Sequence, residues 1–271
     1  MDKTITQPTP GTAARVLCAS AIIWFTVAAI GQFIFVYYIA VAYFPPLALE
    51  GLPGMADSRM PNGYVAGDLV GNLAAAAHVI IAAIIISGGL FQLTPAIRNR
   101  VPRFHRWTGR LYVVLAIVTS VAGMHMVWTR GTVGGFFAPY AITIVGGLII
   151  VFSLMTIILA MRRQFDSHRR WAMRLFMVSS AVWFFRIWLM FWFMTTGGIG
   201  IDNETFTGPF ITFTYFAQFM VPLGLLQLYF VAQDRSSPSL KYLTAGIVFL
   251  ATGVTGIGIF AATMGMWLPE L

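Results

Sequence analysis

Residues 73–129 read LAAAAHVIIAAIIISGGLFQLTPAIRNRVPRFHRWTGRLYVVLAIVTSVAGMHMVWT, two apolar runs on either side of a short basic turn. Each run is long enough to cross a hydrocarbon core about 30 Å thick, which takes about 20 residues of helix. The turn carries Arg98, Arg100, Arg103, Arg106 and Arg110 and no acid. Lipid leaves only closed hydrogen-bonded elements able to span it, so the stretch is a helical hairpin. Its arginines hold the turn on the cytoplasmic side.

The same logic extends in both directions. Apolar runs at about Leu17–Phe44, Leu73–Ile97, Leu111–Thr129, Phe136–Met161, Leu175–Thr196, Pro209–Ala232 and Tyr242–Leu268 give about seven spans. Pro45 and Pro46 are expected to end the first, which is too long for a signal-peptide core and lacks a small-residue cleavage site. The turn holding Arg162, Arg163, Arg169, Arg170 and Arg174 sets only Asp166 against five bases. The loop from Glu50 to Asp68 has three acids and only Arg59, and the one holding Asp202 and Glu204 has no base. Lys3, Arg15 and the segment from Gln233 to Lys241 fit the inner side. Arg130, in a tight outer turn, is the one mild exception. The chain therefore reads as an all-α polytopic membrane bundle with its N-terminus in and its C-terminus out. It forms a single transmembrane domain over 1–271, with a tail at 1–16, an outer loop at 45–72, a core at 73–196 and two further spans within 209–268.

Composition agrees. The chain is 58% apolar and only 10% charged, against about 25% charged in soluble domains, so most of its surface must face lipid. The net charge of +8 is used up in orientation and implies no nucleic acid. A single cysteine, Cys18, excludes an internal disulfide, a thiolate zinc site and a one-chain iron–sulfur cluster. There is no G-x-x-x-x-G-K-[ST] loop and no H-E-x-x-H.

A motif recurs. Arg106-Trp107-x-x-Arg110-Leu111-Tyr112 opens the third span and Arg170-Trp171-x-x-Arg174-Leu175-Phe176 the fifth, each shortly after a histidine, His105 or His168. Arginines at i and i+4 share one helix face, and tryptophan suits headgroup depth. Either a duplicated hairpin or the common demands of an inner helix start produces this pattern.

Ionisable groups inside spans are costly and hence candidate functional residues. His78 lies about 19 residues from the inner end of its span, His125 about 18 and Arg186 about 16, or roughly 28, 27 and 24 Å at about 1.5 Å per residue. The three share one outer layer; His105 and His168 share the inner one, beside Arg106 and Arg110. Two histidines at one depth on adjacent helices are the arrangement that ligates a metal or b-type haem, with arginine pairing the propionates. The same layer also suits a buried polar network, a quinone or substrate site, or separately satisfied histidines. Asp68 and Asp202 are the candidate partners for Arg186. The inner pair with its arginines suits an anionic headgroup, a quinone or a propionate, or a plain interfacial anchor.

The series His78, Gly88-Gly89, Gln92, Pro95, Arg98, His105-Arg106, Gly109-Arg110 and Tyr112, followed by His168-Arg169, Trp171, Arg174 and Arg186, resembles the bacterial membrane family known as domain of unknown function 2306. The resemblance covers about residues 70–195 and implies a multi-span protein of the bacterial inner membrane, with no reaction attached. A looser likeness in architecture, to cytochromes of the b561 type, implies haem b between helices; span four, with no histidine, departs from their ligand pattern. Three functions stand open. The first is electron transfer through haem b held by His78 and His125, exchanging electrons with quinone. The second is transport or binding of a small molecule. The third is a non-catalytic place in a membrane complex.

Overall fold

The computed structural model describes residues 11–56, 60 and 62–271. Lys3, Arg59 and Asp57, the last being one of the three loop acids counted above, lie outside the described residues. Apart from one isolated pairing of Asp202 with Thr207, the regular structure described is helical. The helices are α1 (Thr12–Glu50), α2 (Leu69–Leu93), α3 (Pro95–Arg100), α4 (Pro102–Arg130), α5 (Ala138–Met161), α6 (Phe165–Ser179), α7 (Ala181–Thr196), α8 (Pro209–Asp234) and α9 (Pro238–Ala262). Short 3-10 and π turns carry the chain on from α9 to Glu270. Six helices are long and apolar enough to cross a membrane, and α6 with α7, bent by 51°, pass the same test together, which gives six to seven candidate spans. The count expected from hydropathy therefore holds.

The boundaries depart from expectation where local chemistry outweighs hydropathy. Pro45 and Pro46 do not end the first span: α1 runs 39 residues through both and stops at Gly51, whose φ of +68° suits a residue without a side chain. Helix α2 begins before Leu73, because Asp68 caps it by accepting from the Gly71 N–H at 2.9 Å. It ends at Leu93 because Thr94, ahead of Pro95, is extended. The outer loop expected at 45–72 shrinks at both ends accordingly.

The bend between α6 and α7 has an identifiable cause. The Ser180 hydroxyl donates back to the Phe176 carbonyl at 2.9 Å, and the Gln32 amide of α1, fully buried, donates to that same hydroxyl at 2.9 Å. A side chain inserted at a serine is a known way to bend a helix. The bend divides the contacts of this span. α6 packs on α5, α8 and α2, whereas α7 packs on α8 and α9. α1 lies against α9 and α2, and α4 lies between α2 and α5.

Small residues set the closest approaches, as lipid-embedded interfaces require. A Cβ at Gly258 of α9 would fall 2.5 Å from the Ile187 carbonyl oxygen of α7, a backbone atom with little freedom to retreat. A Cβ at Gly89 would fall 3.0 Å from the Phe176 ring and 3.4 Å from the Tyr112 hydroxyl. Tyr112 and Phe176 are the matching aromatics of the two motif copies, so both copies seat against one glycine of α2.

Overpacking costs about 1–3 kcal/mol. Gly258→Ala is therefore expected to lower the thermal midpoint of the detergent-solubilised protein clearly. Gly256→Ala, which meets only Val27 at 3.9 Å, should leave it nearly unchanged. Equal midpoints for the two variants would contradict this packing.

Candidate functional site

Arg186 lies on α7 two turns beyond the bend, toward the arginine-poor end of the bundle. Its guanidinium stands over the Phe35 ring at 5.3 Å, and one terminal nitrogen donates to the Val182 carbonyl at 3.1 Å. Tyr43, Tyr38 and Tyr215 are its electrostatic neighbours, and no carboxylate is among them. Arg186 remains partly accessible, and Val182, one turn back, is 51% exposed. A guanidinium held in aromatic surroundings keeps its charge and most of its five donors, which suits recognition of a carboxylate or phosphate.

Both candidate partners of Arg186 are engaged elsewhere. Asp68 pairs with Arg130, whose Nε lies 3.0 Å and Nη2 2.7 Å from Oδ2. Arg130 also donates to the Asn72 side chain at 2.7 Å and the Asn62 carbonyl at 2.9 Å, and its side chain is only 6% exposed. Asn72 in turn exchanges two hydrogen bonds with the backbone of Val65. Arg130 is thus the peg that fixes the loop between α1 and α2. Asp202 serves its own turn, accepting from the N–H of Glu204 at 3.0 Å and the Thr205 hydroxyl at 2.7 Å.

His78 and Arg186 are electrostatic neighbours, as their shared depth required. The His78 ring rests on α4, where a Cβ at Gly123 would lie 3.2 Å from its Cε1. Its Nδ1 is buried without a partner among the described residues. His125 does not face it. Two residues past Gly123 is about 200° around a helix, and His125 is accordingly exposed, near enough to Asp68 to act on its charge. Haem ligation by the pair needs a slot between two facing imidazoles. Here the α4 backbone closes on one ring and the other points away, so His78 and His125 do not fit a shared metal or haem b.

At the arginine-rich end His105 and His168 are also neighbours. Arg110 lies over Trp107 at 5.2 Å and Arg174 over Trp171 at 5.1 Å, so the two motif copies build the same stack. Arg106, unlike Arg170, which is paired with Asp234, is exposed. Sequence reasoning passed over Gln32 and the aromatic seat of Arg186. A lone amide inside the first apolar run was the available signal for Gln32, since an unpaired amide in lipid is expensive.

A family profile described as "Predicted membrane protein (DUF2306)" matches residues 75–221, more than half of the chain. The chain belongs to the DUF2306 family. The matched segment of this DUF2306 protein contains α4 to α7 whole, with both motif copies, the bend and Arg186. Neither the curated proteins nor the solved structures give a match.

The Gly71 N–H and the Arg130 side chain hold the Asp68 carboxyl below the usual carboxylate range. A depressed pKa contributes stability that is present above the unfolded value of about 3.9 and is lost as pH falls through the folded one. Acidification below about pH 4 should therefore loosen the outer loop. Limited proteolysis between residues 50 and 70 should accelerate there in the wild type, and Asp68→Asn should be cut readily at neutral pH already.

Proposed function

We propose that this DUF2306 protein binds a small anionic solute in the arginine-poor half of its bundle, with Arg186 as the anchor, as a transporter or binding protein of the membrane. The observation that carries the reading is a guanidinium on a bent membrane-spanning element, seated on Phe35, with Tyr43, Tyr38 and Tyr215 as electrostatic neighbours and no carboxylate partner among the described residues. A charge at such a site costs several kcal/mol and calls for a counter-charge. A bound carboxylate supplies it, accepting from the free edge of the fork while the aromatic faces cover the apolar part of the solute. Interrupted helices lining a solute site are a recurrent device of membrane transporters. Electron transfer through haem b, with or without quinone, gains no support from His78 and His125, which face different surroundings.

Detergent-purified protein should be titrated with acetate, butyrate and benzoate at constant ionic strength. A ligand at a hundred times its Kd stabilises by about 2.7 kcal/mol, an easily read thermal shift. Arg186→Gln should abolish the shift while leaving the unliganded protein about as stable, because it removes a charge that has no carboxylate partner among the described residues. Three results would overturn the reading: no shift with any probe, a shift that survives the substitution, or a Soret band that disappears in His78→Ala.

A further inference from the structure

The arginine-rich end holds a second cluster that the Arg186 site does not use. His105, near the start of α4, and His168, near the start of α6, follow the same pattern in the two motif copies and are electrostatic neighbours. Both are partly accessible, and the other charged neighbours of His105 are Arg98 and Arg106, both exposed. No carboxylate is among the groups acting on His105.

The two rings are held in complementary states. The orientation of the Gln92 amide that satisfies both its ends has the nitrogen donating to His105 Nδ1 at 3.0 Å and to the His105 carbonyl oxygen at 3.3 Å, and the oxygen accepting from the Gly109 N–H at 3.2 Å and the Thr108 hydroxyl at 2.6 Å. His105 Nδ1 is thus an acceptor, so the neutral ring carries its proton on Nε2. His168 Nδ1 lies 2.9 Å from the Thr156 carbonyl oxygen, so it bears the proton and donates, which leaves Nε2 an acceptor. Neither Nε2 has a protein partner among the described residues. One free donor, one free acceptor and two arginines stand together at headgroup depth, marked by the exposed Trp107.

We propose that this cluster binds the headgroup of a hydroxylated anionic phospholipid from the inner leaflet. The phosphodiester accepts from His105 Nε2–H and the guanidinia of Arg98 and Arg106, and a headgroup hydroxyl donates to His168 Nε2. A zwitterionic choline headgroup lacks that hydroxyl and brings a cation toward two arginines. Free phosphate lacks the acyl chains that fix a lipid at this depth. The site rests on charge and hydrogen-bond pattern, independently of Arg186.

The test uses the full chain in detergent, with dioctanoyl phosphatidylglycerol, dioctanoyl phosphatidylcholine and inorganic phosphate as probes and the thermal midpoint as readout. Phosphatidylglycerol should raise the midpoint, and the other two should not. His105→Gln and His168→Gln should each remove at least half of that shift. If either variant fails to fold, Arg98→Gln/Arg106→Gln, at exposed positions, must reduce it instead. Equal shifts with phosphatidylcholine, an equal shift with inorganic phosphate, or variants that respond like the wild type would each overturn the proposal.

Discussion

The hydrogen bond from the Gln32 amide to the Ser180 hydroxyl fixes where the central span turns, and the placement of the candidate sites follows from that turn. On one side of it, α6 fills the space between α2, α5 and α8. On the other, α7 leans toward α8 and α9. Arg186 is carried along with α7 into contact with the aromatic face of α1. A straight span would have kept the partners of α6 along its whole length. The interaction is also costly to misplace, because Gln32 Oε1 is itself buried without a partner among the described residues. A polar pair in a lipid-embedded core has few alternative positions in which it is satisfied, so it specifies one packing.

Much of the plan was legible in the residues, and the failures share a cause. Depth follows from a rise of about 1.5 Å per residue, and groups read at one depth are electrostatic neighbours in the fold: His78 with Arg186, and His105 with His168. Azimuth advances about 100° per residue and depends on which neighbours a helix finds, information that a single span does not carry. His125 therefore shares the right layer and points the wrong way. Hydropathy placed the spans, but their ends were set by features it does not weigh: the Asp68 cap, the extended Thr94, and two prolines that α1 absorbs near its end.

The repeated motif was visible as spacing, and the fold gives the spacing a purpose. Each copy places an arginine over its own tryptophan and sends the following aromatic residue to Gly89. Their outer surroundings have diverged. Trp107 is exposed, whereas Trp171 packs against Phe152 and the arginine before it is tied to Asp234. One copy is open at its surface and the other is packed against protein, although both keep the same arginines and tryptophan at the same spacing.

The first helix has a consequence of its own. At 39 residues it is a rod of about 58 Å at about 1.5 Å per residue, nearly twice the thickness of a bilayer core of about 30 Å. Tilting absorbs part of such an excess and the remainder stands in the headgroup region and beyond it, with Leu49 84% exposed near its tip. Because α1 also carries Phe35, Tyr38 and Gln32, its inclination is mechanically linked to the seat of Arg186. Membrane thickness thereby becomes a variable to which the surroundings of that guanidinium respond.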